Sequence, residues 1–144
     1  LGWIIKTLSN IIIDEDGVGG GLVDTLVGAK GFVNNSTQIL DEVGYAPNKT
    51  NFANLKSQCF FLLSDFVRLG KISIYKDIDV KVKEMLIEEL EQIKRKDADK
   101  DGKMAVISKD IMKDNLGRSP DFADALMMRM YFELHIIKPT FFFG

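Results

Sequence analysis

The β-branched run Ile11-Ile12-Ile13 breaks off into Asp14-Glu15-Asp16, glycines follow at positions 17, 19, 20 and 21, and apolar residues then resume at Leu22, Val23, Leu26 and Val27. A short β-branched run bounded by turn residues reads as a buried strand, and apolar spacings of three and four read as one face of a helix. The glycine stretch between them is then a strand-to-helix turn. That unit argues against an all-helical bundle or a sandwich and points to an α/β layered domain, where helices cover strands. Ile4, Ile5 and Leu8 share helical spacing, so the first nine residues read as the tail of a helix that feeds the strand.

Further along, Gly31-Phe32-Val33 is a second predicted strand. Residues 34–51, rich in Asn, Gly and Thr and containing Pro47, read as a long loop with disorder expected near Pro47. A helix is predicted over 51–69, with Leu55, Cys59, Leu62, Leu63 and Phe66 on one face and Gly70 as its stop. Lys71 to Tyr75 alternate as a short strand. Val80 to Lys96 is predicted as an amphipathic helix with Val82, Leu86, Leu90 and Ile93 inward and its Glu and Lys residues on a solvated face. A turn at 97–102 leads to a strand over 103–108, and Ser119 as cap with Pro120 at the first position opens a last helix.

With 144 residues, 46% of them hydrophobic, the chain can bury a core as a single domain over 1–144. No apolar run approaches the roughly 20 residues of a membrane helix, so no membrane partner is expected. Cys59 stands alone and cannot form an internal disulfide, which fits a cytoplasmic setting. Lys and Arg total 19 against 21 for Asp and Glu, a net charge of −2, which excludes a strongly basic, stand-alone nucleic-acid-binding domain. Lys71, Lys76, Lys81 and Lys83 form at most a modest backbone-contacting set, or are ordinary surface lysines. The start, Leu1-Gly2-Trp3, has neither an initiator Met nor the order of a signal peptide, so the chain reads as a fragment of a longer protein.

Two acidic groups carry possible chemistry. Asp14-Glu15-Asp16 stands where a rigid strand opens to solvent, and carboxylates there suit Mg²⁺ or Mn²⁺, which prefer hard oxygen ligands. The alternative is a turn made soluble by its charges. Asp121 and Asp124, three apart on a helix, share a face, and the small Ala123 and Ala125 would let that helix approach a sheet. Their alternative is that Asp121 complements the helix end while Asp124 meets a nearby Lys or Arg. Three other features are decoys. The stretch from Gly17 to Leu22 matches neither nucleotide-binding loop. Asp97-Ala98-Asp99-Lys100-Asp101-Gly102 opens like a calcium loop but has Ser108 where the bidentate Glu belongs. His135 has no partner for a zinc site or a nucleophilic dyad.

The order of three segments carries more information than any one of them. Ile11-Ile12-Ile13-Asp14-Glu15-Asp16-Gly17-Val18-Gly19, then Asn54-Leu55-Lys56-Ser57-Gln58-Cys59-Phe60-Phe61-Leu62-Leu63 with Gly70-Lys71-Ile72, then Leu116-Gly117-Arg118-Ser119-Pro120-Asp121-Phe122-Ala123-Asp124-Ala125-Leu126 together resemble the C-terminal nuclease domain of tailed-phage terminase large subunits. The resemblance implies a ribonuclease H-like layered α/β domain, a central mixed sheet with flanking helices, related to resolvases. It implies a metal-dependent endonuclease that cuts concatemeric double-stranded DNA during packaging. By position, Asp14, Asp121 and Asp124 match the family's catalytic and metal-binding acidic residues, with Asp14 and Asp124 ranked above Asp121 and with Glu15 or Asp16 able to replace or assist Asp14. Two Mg²⁺ or Mn²⁺ ions are the implied cofactors. The implied partners are double-stranded DNA, an ATPase motor domain in the same parent chain, the small terminase subunit and the portal. The family's first catalytic aspartate lies on an opening hairpin strand upstream of Leu1, so the chain is expected to lack that hairpin and part of its metal site, and to cut poorly alone. A non-catalytic docking module of the packaging motor and a resolvase-like nuclease are the alternative functions.

Overall fold

A parallel strand pair cannot be closed by a tight turn and needs a crossover, which here includes a short helix. The computed structural model describes residues 9–16, 20–40, 51–97 and 102–134. In it β1 (Ile12–Asp14) runs parallel to β2 (Lys30–Phe32), with α1 (Gly20–Thr25) between them in the chain. The register sets Ile12 opposite Lys30 and Asp14 opposite Phe32, so Asp14 ends the strand beside the first large core residue. The apolar residues of α1 do not reach the core. None of its residues is buried, Leu22 is 51% exposed, and Val27 just beyond it is 78% exposed.

The core forms on α2 (Leu55–Arg68), whose residues Leu55, Cys59, Phe60 and Leu63 pack with Phe32 of β2 and with Met127 and Met130 of α5 (Asp121–Leu134). Asn54 caps α2 by accepting from the Ser57 N–H, and Gly70, at φ +65°, ends it in the left-handed conformation that glycine adopts without strain. Tyr131 of α5 meets the Phe32 ring edge to face, with centroids 6.2 Å apart. Alongside lies α3 (Val80–Glu91), capped by Asp79, and then β3 (Arg95–Lys96) pairs antiparallel with β4 (Ala105–Val106). Phe52 and Met104 add an isolated parallel bridge. Next, α4 (Lys109–Leu116) starts at the Ser108 cap and closes at Gly117, whose φ of +69° permits the turn into α5.

Several expectations need correction. Residues 71–75 form no strand. A strand needs a ladder partner for its N–H and C=O groups, and this segment leaves α2 through a Lys71 N–H to Phe66 carbonyl bond along the surface. The helix expected to reach Lys96 stops at Glu91, because Arg95 and Lys96 pair with Val106 and Ala105. The last helix begins at Asp121. Pro120 stands just before it and lends its carbonyl to the Asp124 N–H. Helix α4 was not anticipated at all. Mixed α/β content is observed, but among the described residues the strands form two separate pairs rather than one central sheet. Nor does α5 approach a sheet through its alanines: Ala123 is fully buried where α5 meets other helices, whereas Ala125 is exposed. Among the described residues no helix is long and apolar enough to cross a membrane. Ser9, the end of the expected opening helix over 1–9, lies in a turn, and the rest of that helix, Gly17 and Gly19, the loop around Pro47, most of the calcium-like turn, His135 and the Phe-rich tail lie outside the described residues.

Candidate active site

Successive side chains of an extended chain point to opposite faces, which separates the three acidic residues at the end of β1. The Glu15 N–H bonds to the Phe32 carbonyl at 2.9 Å, and the Glu15 carboxylate lies over Gly31, where any side chain would collide with it. Asp14 and Asp16 turn the other way. The Asp14 carboxylate accepts from the Asp16 N–H at 3.0 Å, and Asp16 accepts from both the backbone and the side-chain amide of Asn34, at 2.9 and 2.6 Å. Asn34 also reaches Asp14 at 3.4 Å, and its carbonyl accepts from the Lys56 N–H at 3.2 Å. One asparagine thus ties the acidic end of β1 to the first turn of α2.

That first turn is a junction. Gln58, buried, grips the Ile39 backbone with both ends of its amide, and the buried Ser57 hydroxyl accepts from the Val106 N–H in β4 at 3.3 Å. The ammonium of Lys56 stands 3.6 Å from Asp124 Oδ1 of α5 and 5.6 Å from the centre of the Phe60 ring. The other Asp124 oxygen, Oδ2, accepts from the Lys109 ammonium at 2.5 Å. Asp124 is 8% exposed, and its Oδ1 is buried without a hydrogen bond. A buried carboxylate oxygen lacking a hydrogen bond is costly unless a cation compensates it.

Lys109 pairs with Asp124, one of the sequence-predicted residues. Burial works against its charge, but the Asp124 hydrogen bond and the charges of Asp124, Asp121 and Asp14 outweigh burial and hold its pKa above the usual lysine range. Asp14 from β1 and both acidic residues of α5 therefore act on one ammonium. Asp121 is exposed while Asp124 is buried, so the two do not present equally, and Asp124 is paired with lysines as the alternative reading of that segment expected. Carboxylate oxygens are the kind of donor a hard divalent cation prefers. Among the described residues no three His, Cys, Asp or Glu side chains lie close enough to hold an ion together, and Asp124 pairs with Lys109 and Lys56 instead.

The start of α5 is held from below by a buried charge. Glu89, on the α3 face that the sequence assigns to solvent, is fully buried. One of its oxygens accepts from the Ala123 N–H at 2.8 Å, and the other is gripped by Arg118. Arg118 further donates to the Met85 carbonyl and to Glu88, both at 3.3 Å. The Glu89 carboxylate serves as the N-terminal cap of a helix from another element, since the first N–H groups of any helix lack internal partners. Lys56, Lys109 and Glu89 were missed as candidates. The only local hint was Ser108 followed by Lys109, a cation at a helix start where the helix field disfavours it.

No family model matches the sequence, and no curated protein matches it. Among solved structures, the chain is similar to the nuclease domain of the large terminase subunit gp2 of bacterial virus Sf6, with 28% identity and a TM-score of 0.65. The match covers 88% of this chain and 65% of that one, so the chain spans slightly under two thirds of its neighbour's length.

Proposed function

We propose that this chain is the endonuclease domain of a phage DNA-packaging terminase, with a ribonuclease H-like arrangement, and that it hydrolyses phosphodiester bonds of concatemeric double-stranded DNA. The likeness to the Sf6 nuclease domain supports the reaction class. The observation that carries the assignment of residues is the buried Asp124 carboxylate, one oxygen of which has no hydrogen bond while the other pairs with Lys109 at 2.5 Å. Asp14, Asp121 and Asp124 would hold Mg²⁺ or Mn²⁺. When bound, a pair of such ions supplies charge stabilisation to the attacking and departing oxygens of the scissile phosphate.

The chain's own residues do the rest. Asn34 fixes the Asp14 and Asp16 side chains relative to α2, and Glu89 fixes the first turn of α5, so the acidic groups approach DNA from rigid elements. Lys56 stays beside Asp124 and offsets part of the negative charge that a phosphate would otherwise meet. In this reading the partners are double-stranded DNA, an ATPase motor domain of the parent chain, the small subunit and the portal. The full-length parent protein with Mg²⁺ or Mn²⁺ is expected to cut plasmid DNA, Asp14→Ala and Asp124→Ala in that parent are expected to abolish cutting, and this chain alone is expected to cut poorly. Unchanged cutting by both variants would remove the assignment.

A further inference from the structure

Duplex DNA is a dense polyanion, and a chain of net charge −2 attracts it only where its cations are gathered apart from its carboxylates. Two stretches carry several exposed lysines. Over 71–84, Lys71, Lys76, Lys81 and Lys83 are interleaved with Asp77, Asp79 and Glu84. The β3–β4 ribbon differs: residues 92–96 and 102–109 include Lys94, Arg95, Lys96, Lys103 and Lys109 and not one carboxylate. Lys94, Arg95, Lys96 and Lys103 are exposed, and none of them makes an ion pair with another described residue. The first carboxylate after β3, Asp97, has φ +48° and so has already left the extended strand.

Strand geometry sorts these cations by face. In an antiparallel pair, directly opposed residues share a face and successive residues alternate. Arg95 is opposite Val106, which packs against the core, so Arg95 belongs to the inner face. Lys96 is opposite Ala105, and the Ile107 N–H donates to the Lys94 carbonyl at 3.0 Å. Lys94 and Lys96 therefore share the outer face, together with Lys103, two residues before Ala105. Three ammoniums gathered on one face repel one another, and a polyanion laid across them relieves that repulsion.

The ribbon is also fixed to the candidate site. The Met104 N–H donates to the Asn51 carbonyl at 2.7 Å, the Met104 carbonyl accepts from the Ala53 N–H at 2.9 Å, and the Val106 N–H donates to the Ser57 hydroxyl oxygen at 3.3 Å. These bonds hold β4 against the start of α2. Three residues beyond Val106 stands Lys109, whose ammonium donates to Asp124. Three residues of extended chain span about 10 Å, comparable with the Debye length of about 10 Å at 0.1 M salt, so the charge of the ribbon is not fully screened at Asp124.

We propose that the outer face of the β3–β4 ribbon, Lys94, Lys96 and Lys103, is a contact surface for the phosphate backbone of duplex DNA and holds it beside the Asp124 end of α5. The choice of DNA as the polyanion rests on the proposed function; the surface itself rests on the charge and register of the ribbon. Contacts of this kind position a duplex without reading its sequence.

The test is binding of a short labelled duplex, followed by fluorescence anisotropy without divalent ions, across a salt series. Native chain is compared with three variants: Lys94→Ala, Lys96→Ala and Lys103→Ala combined; the same positions changed to Arg; and Lys76→Ala, Lys81→Ala and Lys83→Ala combined. The two alanine variants lose the same charge, so a difference between them reports position rather than net charge. The ribbon alanine variant is expected to bind about tenfold more weakly at low salt. Its slope of log affinity against log salt is expected to be shallower by about 2.7, from three phosphate contacts at about 0.9 each. The arginine variant is expected to bind as native does, and the 76, 81 and 83 variant to stay within about twofold of native. Thermal melts close to native in all three would show that the exposed substitutions keep the fold. Native affinity and slope in the ribbon alanine variant, or equal weakening in both alanine variants, overturns the inference. So does a native chain that fails to bind duplex at low salt. Plasmid cutting by the full-length parent decides the nuclease reading separately: cutting that is lost in Asp124→Ala, beside a ribbon variant that binds duplex as native does, leaves that reading standing without this surface.

Discussion

Cys59 shows how a single residue records the depth of the core. It lies on α2 fully excluded from solvent, and burial pushes its thiol from 9.0 up to about 12. The thiolate is the reactive form, so folded protein should be inert to thiol reagents near neutral pH and react only on unfolding. The folded state keeps the proton more tightly than the unfolded chain, so the contribution of this group to stability is complete below pH 9.0 and lost as pH rises from there toward about 12. Native protein should therefore lose stability more steeply over that window than Cys59→Ala, in which the other alkaline groups still titrate. Parallel denaturation curves for the two would contradict this account. Asp124 is the opposite kind of buried residue, compensated by two lysines.

Among the elements, α5 bears two acidic residues of the candidate site, and its position depends on α3. Glu89 accepts from the Ala123 N–H and from Arg118, and the guanidinium in turn is held in its charged form foremost by the Glu89 hydrogen bond. Arg118, Ser119 and Pro120 lead directly into the helix, so the Gly117 turn and the Glu89 cap together set where α5 begins. Glu89→Ala should cost about 1 kcal/mol from the missing cap alone, with a further loss from the stranded Arg118. Chemical denaturation measures that loss. Faster hydrogen exchange at the first turn of α5 than elsewhere in the helix would localise it. Exchange rates there equal to native would refute the capping role.

The whole molecule is mildly acidic, and its lysines at 71, 76, 81 and 83 are all exposed on the outer surface. Such a body has little long-range attraction for a polyanion, so duplex DNA binding should be weak and should fall as salt is raised. If those four lysines make the phosphate contacts, the slope of log affinity against log salt should be no steeper than about −4. Fluorescence anisotropy with a short labelled duplex measures both quantities. A tight complex indifferent to salt would show that recognition comes from elsewhere. The Sf6 nuclease domain is longer than the matched region, and nuclease activity is a proposal that the plasmid experiment addresses.

Features that depend on near neighbours were legible in the amino-acid order. The β-branched run ended as a strand at Asp14, the apolar spacing from Leu55 to Phe66 formed α2, and the Ser119-Pro120 signal lay within one residue of the start of α5. Local backbone preference and side-chain periodicity act over a turn or two, so they survive in the one-dimensional pattern. Folding decided what depends on distant charge and coverage: that Glu89 is buried, that Lys71 to Tyr75 have no strand to pair with, and that Lys56 and Lys109 close on Asp124. A glutamate on a helix face has the same local signature whether water or Arg118 meets it, and only the packing of α5 over α3 distinguishes the two.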